Sequence, residues 1–220
     1  MQLQNYKETI HKFQFIPSSF NFIKEQFGEI LNGLNVHKKT PWYKTSLVIT
    51  PDEGVALIQM THFENATLLY RATRDGFSAS AFHLKCDGKP NTLTIIKNNF
   101  NYVFGGYTSA KWLSDRSYCA DSTAFIFSLR RNGISNSTKF AITDPNFAIL
   151  GFSKYGPTFG NHDLFMSDGS DMKTGSFANL GCSFELPPGY TIQNEQTKSF
   201  LAGNYNNWLT TEIEVYQIFK

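Results

Sequence analysis

At 220 residues, with 41% hydrophobic and 17% charged side chains, the chain is long enough to bury a substantial core and too apolar to be disordered. Its 20 basic and 18 acidic residues leave a formal charge of +2 with no Lys/Arg cluster, which argues against a nucleic-acid partner. No uninterrupted apolar run reaches the roughly 20 residues of a membrane-spanning helix, and the polar start from Met1 lacks an apolar signal core, so a cytoplasmic protein without membrane insertion is expected.

Residues 1–45 are expected to form an N-terminal amphipathic helical segment and linker. Ser18 or Ser19 can cap a helix in which Phe20, Ile23, Phe27, Ile30, Leu31 and Leu34 recur at threes and fours, and His37-Lys-Lys-Thr-Pro41 reads as the connector. Residues 46–220 read as a domain of their own. Ser46–Thr50 is a short strand or extended piece, and Pro51-Asp52-Glu53 then supplies the proline and acids of a helical first turn running to about Met60.

From Thr67 the period changes to two. Thr67–Ala72 reads as a strand, Asp75-Gly76 as a turn, and Ala81–Cys86 as the second strand of a hairpin, with His83 facing outward. Thr92–Ile96 and Tyr102–Tyr107 continue the meander. Gly105-Gly106 at the end of the latter implies a bulge, a positive φ or a close approach by another backbone. After the polar interval Leu113–Ser122, Phe125, Phe127 and Leu129 alternate as one more half-buried strand. Weaker strands are expected at Lys139–Ile142 and Phe147–Leu150, and Gly156-Pro-Thr-Phe-Gly160 leads into Asp163–Met166. Ser167–Ser199 is loop-rich. In the closing run Glu212–Phe219, Ile213 and Val215 alternate with Glu212 and Glu214, which are expected to make a wet face. The abundance of aromatics, 15% with 21 Phe, suits such sheets. About ten short strands without strand–helix alternation give a mainly β fold, a two-sheet antiparallel β-sandwich with flanking helices.

Seven pieces of this chain, in order, resemble the TLDc domain, a eukaryotic module associated with oxidation resistance. They are Leu69-Tyr-Arg-Ala-Thr-Arg-Asp-Gly-Phe77, Phe82-His83 with Cys86, Thr92-Leu-Thr-Ile-Ile96, Val103-Phe-Gly-Gly-Tyr107 with Trp112, Asp121 with Ala124-Phe-Ile-Phe-Ser-Leu129, Gly156-Pro-Thr-Phe-Gly160 with Asp163, and Glu212-Ile-Glu-Val-Tyr216. The resemblance spans roughly Ser46 to Phe219. It implies a two-sheet sandwich and a non-enzymatic protein-interaction module, with a V-type proton ATPase subunit as the first candidate partner. It supplies no catalytic residue and no cofactor. Interaction or structural duty then falls on the motif residues Asp75, Gly76, Phe77, Gly105, Gly106, Trp112, Asp121, Glu212 and Glu214.

Chemistry can be assembled from the residues in four ways, each with a plainer structural alternative. Ser78 or Ser80 with His83 and Asp121 makes a hydrolase set on paper, but no G-x-S-x-G elbow accompanies it. His83-x-x-Cys86 has a tolerable metal spacing but lacks two further ligands. Asp163, Asp168, Ser170 and Asp171 gather hard oxygens without the EF-hand spacing, so a solvated turn is the plainer alternative to a calcium site. Of three unpaired cysteines, Cys119 near Arg116 is the candidate for a peroxide-reactive thiol, the route by which a redox enzyme would act. Asp75 and Asp121 beside turns are expected to accept backbone amides, and Trp112 is either an interface anchor or core.

Overall fold

The alternation read from the sequence becomes eleven strands in two antiparallel sheets in the computed structural model, which describes residues 40–219. The amphipathic helix expected over Phe20–Leu34 lies outside the described residues. One sheet has six strands in the order β1 (Asn65–Arg71), β11 (Thr210–Phe219), β2 (Thr92–Asn98), β3 (Val103–Thr108), β5 (Phe125–Arg131) and β6 (Ile134–Ala141). The other has five, in the order β10 (Phe177–Ala178), β9 (Leu164–Phe165), β8 (Thr158–Phe159), β7 (Ile149–Phe152) and β4 (Asp115–Cys119). Four α-helices flank them among the described residues, and none of these is long and apolar enough to cross a membrane.

Both faces of the six-stranded sheet are covered. Inward, Ile96, Phe104 and Ile126 join Trp112, Phe159 and Trp208 in the core. Outward, Leu93, Ile95, Tyr107, Phe125, Phe127 and Leu129 form a second cluster with Trp42, Val48 and Leu57. Phe125, Phe127 and Leu129 therefore belong to a central strand buried on both sides, not to a half-buried one.

Helix α1 (Pro51–Thr61) supplies part of that cover and begins as the sequence implies. The Thr50 hydroxyl accepts from the Glu53 backbone N–H at 3.3 Å while the Glu53 carboxylate accepts from the Thr50 N–H at 2.9 Å, a reciprocal cap of two orphan donors. Ser46–Thr50 forms no strand: the chain bends at Leu47 and Val48, and the Val48 and Ile49 N–H groups donate to the Ser46 hydroxyl at 3.0 and 3.3 Å.

Further expectations fail. The run Ala81–Cys86 is not a strand: a one-turn helix, α2 (Ala72–Asp75), is followed by α3 (Ala79–Cys86), capped by the Ser78 hydroxyl, which accepts from the Ala81 N–H at 3.2 Å. Ala79, Phe82 and Cys86 lie on one helical face and are buried, and His83 is 7% exposed, so it faces inward. Glu212 and Glu214 are not wet either, being 5% and 0% exposed. The polar stretches also hold elements that periodicity does not reveal: β4 inside the interval Leu113–Ser122, and β10 and α4 (Glu195–Phe200) inside Ser167–Ser199.

Candidate functional site

The two most distant motif pieces meet at the β1–β11 pairing, where Arg71 stands opposite Glu214. A fully buried carboxylate is tolerated only if its oxygens are satisfied, and Glu214 has donors from four residues. Arg71 Nη2 lies 2.7 Å and Nε 2.9 Å from Oε1, the Leu47 N–H donates at 3.0 Å, and the Ser46 and Tyr216 hydroxyls donate to Oε2 at 2.6 and 3.1 Å. Burial and the neighbouring Glu214 push the Tyr216 phenol up to about 12.

Two residues away, Glu212 accepts from the Thr73 N–H at 3.1 Å and from the Thr73 hydroxyl. Asp75 accepts from the Arg71 N–H at 3.0 Å and pairs with Arg74, whose hydrogen bond holds its carboxyl below the usual range. The Gly76 carbonyl accepts from the Tyr70 hydroxyl at 2.7 Å, and Phe77 packs half-buried against the core. Asp75, Gly76, Glu212 and Glu214 thus come together as a clasp that fixes the turn after β1, with its acceptors occupied.

Gly105 and Gly106 answer a different need. A Cβ on Gly105 would stand 1.9 Å from the Thr94 carbonyl oxygen, and one on Gly106 would stand 2.6 Å from the Phe159 ring. The pair therefore marks close approach, by backbone in one case and by an aromatic ring in the other. Trp112 is fully buried, edge-on to Phe82 and Phe159 at 5.1 and 5.5 Å, and its indole N–H donates to the Thr92 hydroxyl at 2.8 Å. It is core and not a surface anchor. Asp121 accepts from the Thr108, Ser109 and Thr123 hydroxyls and from the backbone N–H groups of Ser109 and Thr123. Burial alone would raise its carboxyl; these donors outweigh it and hold it low.

The paper hydrolase is not assembled. His83 Nδ1 is 2.7 Å from Asp87, and Nε2 faces the carbonyls of Phe152 and Tyr155 at 2.9 and 3.0 Å. Neither nitrogen faces a serine: the Ser78 and Ser80 hydroxyls bond each other at 3.0 Å. Among the described residues no group of three His, Cys, Asp or Glu could hold a metal. Asp163, expected in a solvated turn, is completely buried and accepts from four successive N–H groups, Gly181 to Phe184. Burial pushes its carboxyl up to about 6 against those donors. The Asp168 carboxylate accepts from the Ala79 N–H at 2.8 Å. Cys119 is half-buried, and burial together with Asp115 raises its thiol, while the Arg116 guanidinium lies over the Phe152 ring at 4.7 Å.

A shallow hollow of about 350 Å³ lies at the end of α1, lined in part by Phe63, Tyr107, Phe125 and Lys139. Its cation is already engaged, 3.1 Å from the Met60 carbonyl and 4.2 Å from the Phe125 ring centre.

A larger surface feature lies outside the motifs. Six half-buried rings, Phe152, Tyr155, His162, Phe165, Phe177 and Tyr205, touch in succession across the five-stranded sheet and its loops. The separations are 4.6 Å for Phe152–Tyr155, 4.7 Å for Tyr155–Phe165, 5.0 Å for Phe165–Phe177 and 5.8 Å for Phe177–Tyr205, and His162 stacks on Phe177 at 6.1 Å. The strip ends in a cation on each side, Arg116 over Phe152 and Lys198 over Tyr205 at 5.1 Å. Its members are too scattered along the chain for any period to show, and the abundance of aromatics was the one signal available.

The family model of the TLDc domain matches residues 44–219. No curated protein matches the chain.

Proposed function

The chain belongs to the TLDc domain family, and on that premise we propose that it is a non-enzymatic protein-interaction module that supports oxidative-stress resistance and engages a subunit of a V-type proton ATPase in the cytoplasm. The observation that carries the non-enzymatic part is the occupation of the motif side chains. Glu212, Glu214, Asp75 and Asp121 accept from hydroxyl, backbone and arginine donors, and His83 spends both ring nitrogens on Asp87 and two carbonyls. A general acid or base needs an accessible position beside a reacting atom. These groups instead build a rigid scaffold whose free surfaces and loops are available to a partner.

The rival, a thiol-based peroxide scavenger using Cys119, meets unfavourable electrostatics. A reactive cysteine needs a stabilised thiolate, whereas burial raises all three thiols here and Asp115 adds to the effect at Cys119.

Affinity capture of the tagged full chain from its source cell, together with ATPase assays of purified pump, tests the proposal. Co-purification of pump subunits and a changed ATPase rate at micromolar chain are expected. A pump that is neither captured nor altered removes the partner assignment.

A further inference from the structure

We propose that the aromatic strip on the outer face of the five-stranded sheet is the docking surface for an acidic segment of a partner protein carrying proline or aliphatic side chains. This rests on the reading of the domain as a protein-binding module and specifies where it binds.

The strip is not needed for the core. Inner neighbours on the same strands, Ile149, Phe159, Leu164 and Ala178, are buried and fill the space between the sheets, while Phe165 and Phe177, paired across β9 and β10, remain half in water. A contiguous band of partly exposed rings is what protein-binding surfaces carry.

Ring orientation selects the kind of guest. Phe152 and Tyr155 meet at 81° and Tyr155 and Phe165 at 88°, whereas Phe165 and Phe177 are tilted by only 31°. From Phe152 to Phe165 the contacts are therefore edge to face, so this half of the strip offers no flat platform of the kind that stacks nucleobases. Exposed ring edges and faces side by side suit the pyrrolidine ring or branched aliphatic side chains of an extended polypeptide.

Charge selects the rest. Arg116 and Lys154, at the Phe152–Tyr155 end, have no carboxylate partner among the described residues. The adjacent Asp115 is engaged by the N–H and hydroxyl of Ser117. At the other end Lys198 pairs with Glu195 in its own helix at 2.9 Å. Arg116 also occupies the left-handed region, φ 66°, at the register shift between Asp115 and Ser117 in edge strand β4. That conformation is unfavourable for a non-glycine residue, and such bulges re-aim side chains; here the guanidinium is laid on the first ring. His83 steadies the same end by holding the carbonyls of Phe152 and Tyr155, so the turn bearing two of the rings is anchored to α3.

The test presents the full chain to displayed libraries of about twelve-residue peptides, long enough for an extended segment to cross the strip, one composed of Glu, Pro and Leu and one with Lys replacing Glu. Labelled oligothymidine provides a third arm. Binders are expected from the acidic library alone, weakened about tenfold by Arg116→Glu and by Phe177→Ala, and unchanged by Ile134→Ser on the other sheet. Should Phe177→Ala lower the melting temperature, Arg116→Glu and the loss of binding at high salt decide. Binders drawn equally from the basic library, a preference for oligothymidine, or acidic binders indifferent to Arg116→Glu would overturn the assignment. If the pump is captured but Arg116→Glu leaves capture intact, this surface is wrong and the proposed partner stands; if acidic peptides bind as described and the pump does not, the reverse holds.

Discussion

Arg71 and Glu214 face each other across adjacent strands, guanidinium to carboxylate at 2.7 Å, with the glutamate wholly buried. The pair joins the first strand of the six-stranded sheet to the last, and Ser46 and Leu47 of the leading segment are tied to the same carboxylate. Removing one partner strands the other charge in the interior, so Glu214→Ala is expected to cost about 3–5 kcal/mol. Urea unfolding measures it, and a loss under about 1 kcal/mol would mean that the charge is solvated in the folded state.

The two adjacent glycines should not respond alike. Gly105→Ala sets a methyl group against the Thr94 backbone, whereas Gly106→Ala meets the Phe159 ring, which can turn or be trimmed. Overpacking at Gly106 is expected to cost about 1–3 kcal/mol and Gly105→Ala more. Combining Gly106→Ala with Phe159→Leu should cost less than the sum of the two single changes, a coupling that a double-mutant cycle reads directly.

His83→Ala removes the hold on the 152–155 turn and leaves two carbonyls and Asp87 without that partner. A loss of roughly 1–3 kcal/mol follows. Amide exchange should quicken first near Phe152 and Tyr155, while β2 and β3 stay protected; uniform acceleration would show that His83 supports the whole core instead.

Asp163 gives stability an unusual pH slope. Burial lifts its carboxyl from the ordinary 3.8 to about 6, so between those values the folded chain binds a proton more readily than the unfolded one. Its contribution is complete below about pH 4 and falls away as pH rises through about 6, by roughly 2–3 kcal/mol. Asp75 and Asp121 act oppositely: their carboxyls are held low, so their contribution is present above the ordinary carboxylate range and lost on further acidification. The stability difference between the natural chain and Asp163→Asn, followed from pH 4 to 7, isolates the first effect, and a difference that grows with pH would show the four N–H donors outweighing burial.

Replacing Cys86, Cys119 and Cys182 together by serine is expected to leave any oxidative-stress protection unchanged, since none of the thiols is predisposed to ionise. Survival of peroxide-treated cells is the readout, and loss of protection in a variant that still folds would revive thiol chemistry.

The presence of strands was legible where β-branched and aromatic residues run together, as in β2, β3, β5 and β11, but the sheet order, which sets β11 between β1 and β2, was not. The segment Ala79–Cys86 escaped because Phe82 and Cys86, four apart, share a face under either period. What settles it is non-local or conformational: the Asp168 carboxylate at the Ala79 N–H, and Gly76 at φ 99°. Glu212 and Glu214 looked solvent-facing because a carboxylate's burial depends on donors far away in sequence, Thr73 and Arg71. The aromatic strip and its cation are drawn from short strands and loops between residues 116 and 205, so the strip exists only once the second sheet has formed.

β11 lies between β1 and β2 and bonds to both. During synthesis the segments of β1 and β2 must therefore leave the ribosome more than a hundred positions ahead of the strand that joins them. Until residues near Phe219 emerge, each has an open edge able to pair with another chain. Closure of this sheet therefore waits for the last of its strands in chain order, and removing Thr210–Phe219 would leave β1 and β2 with unpaired facing edges.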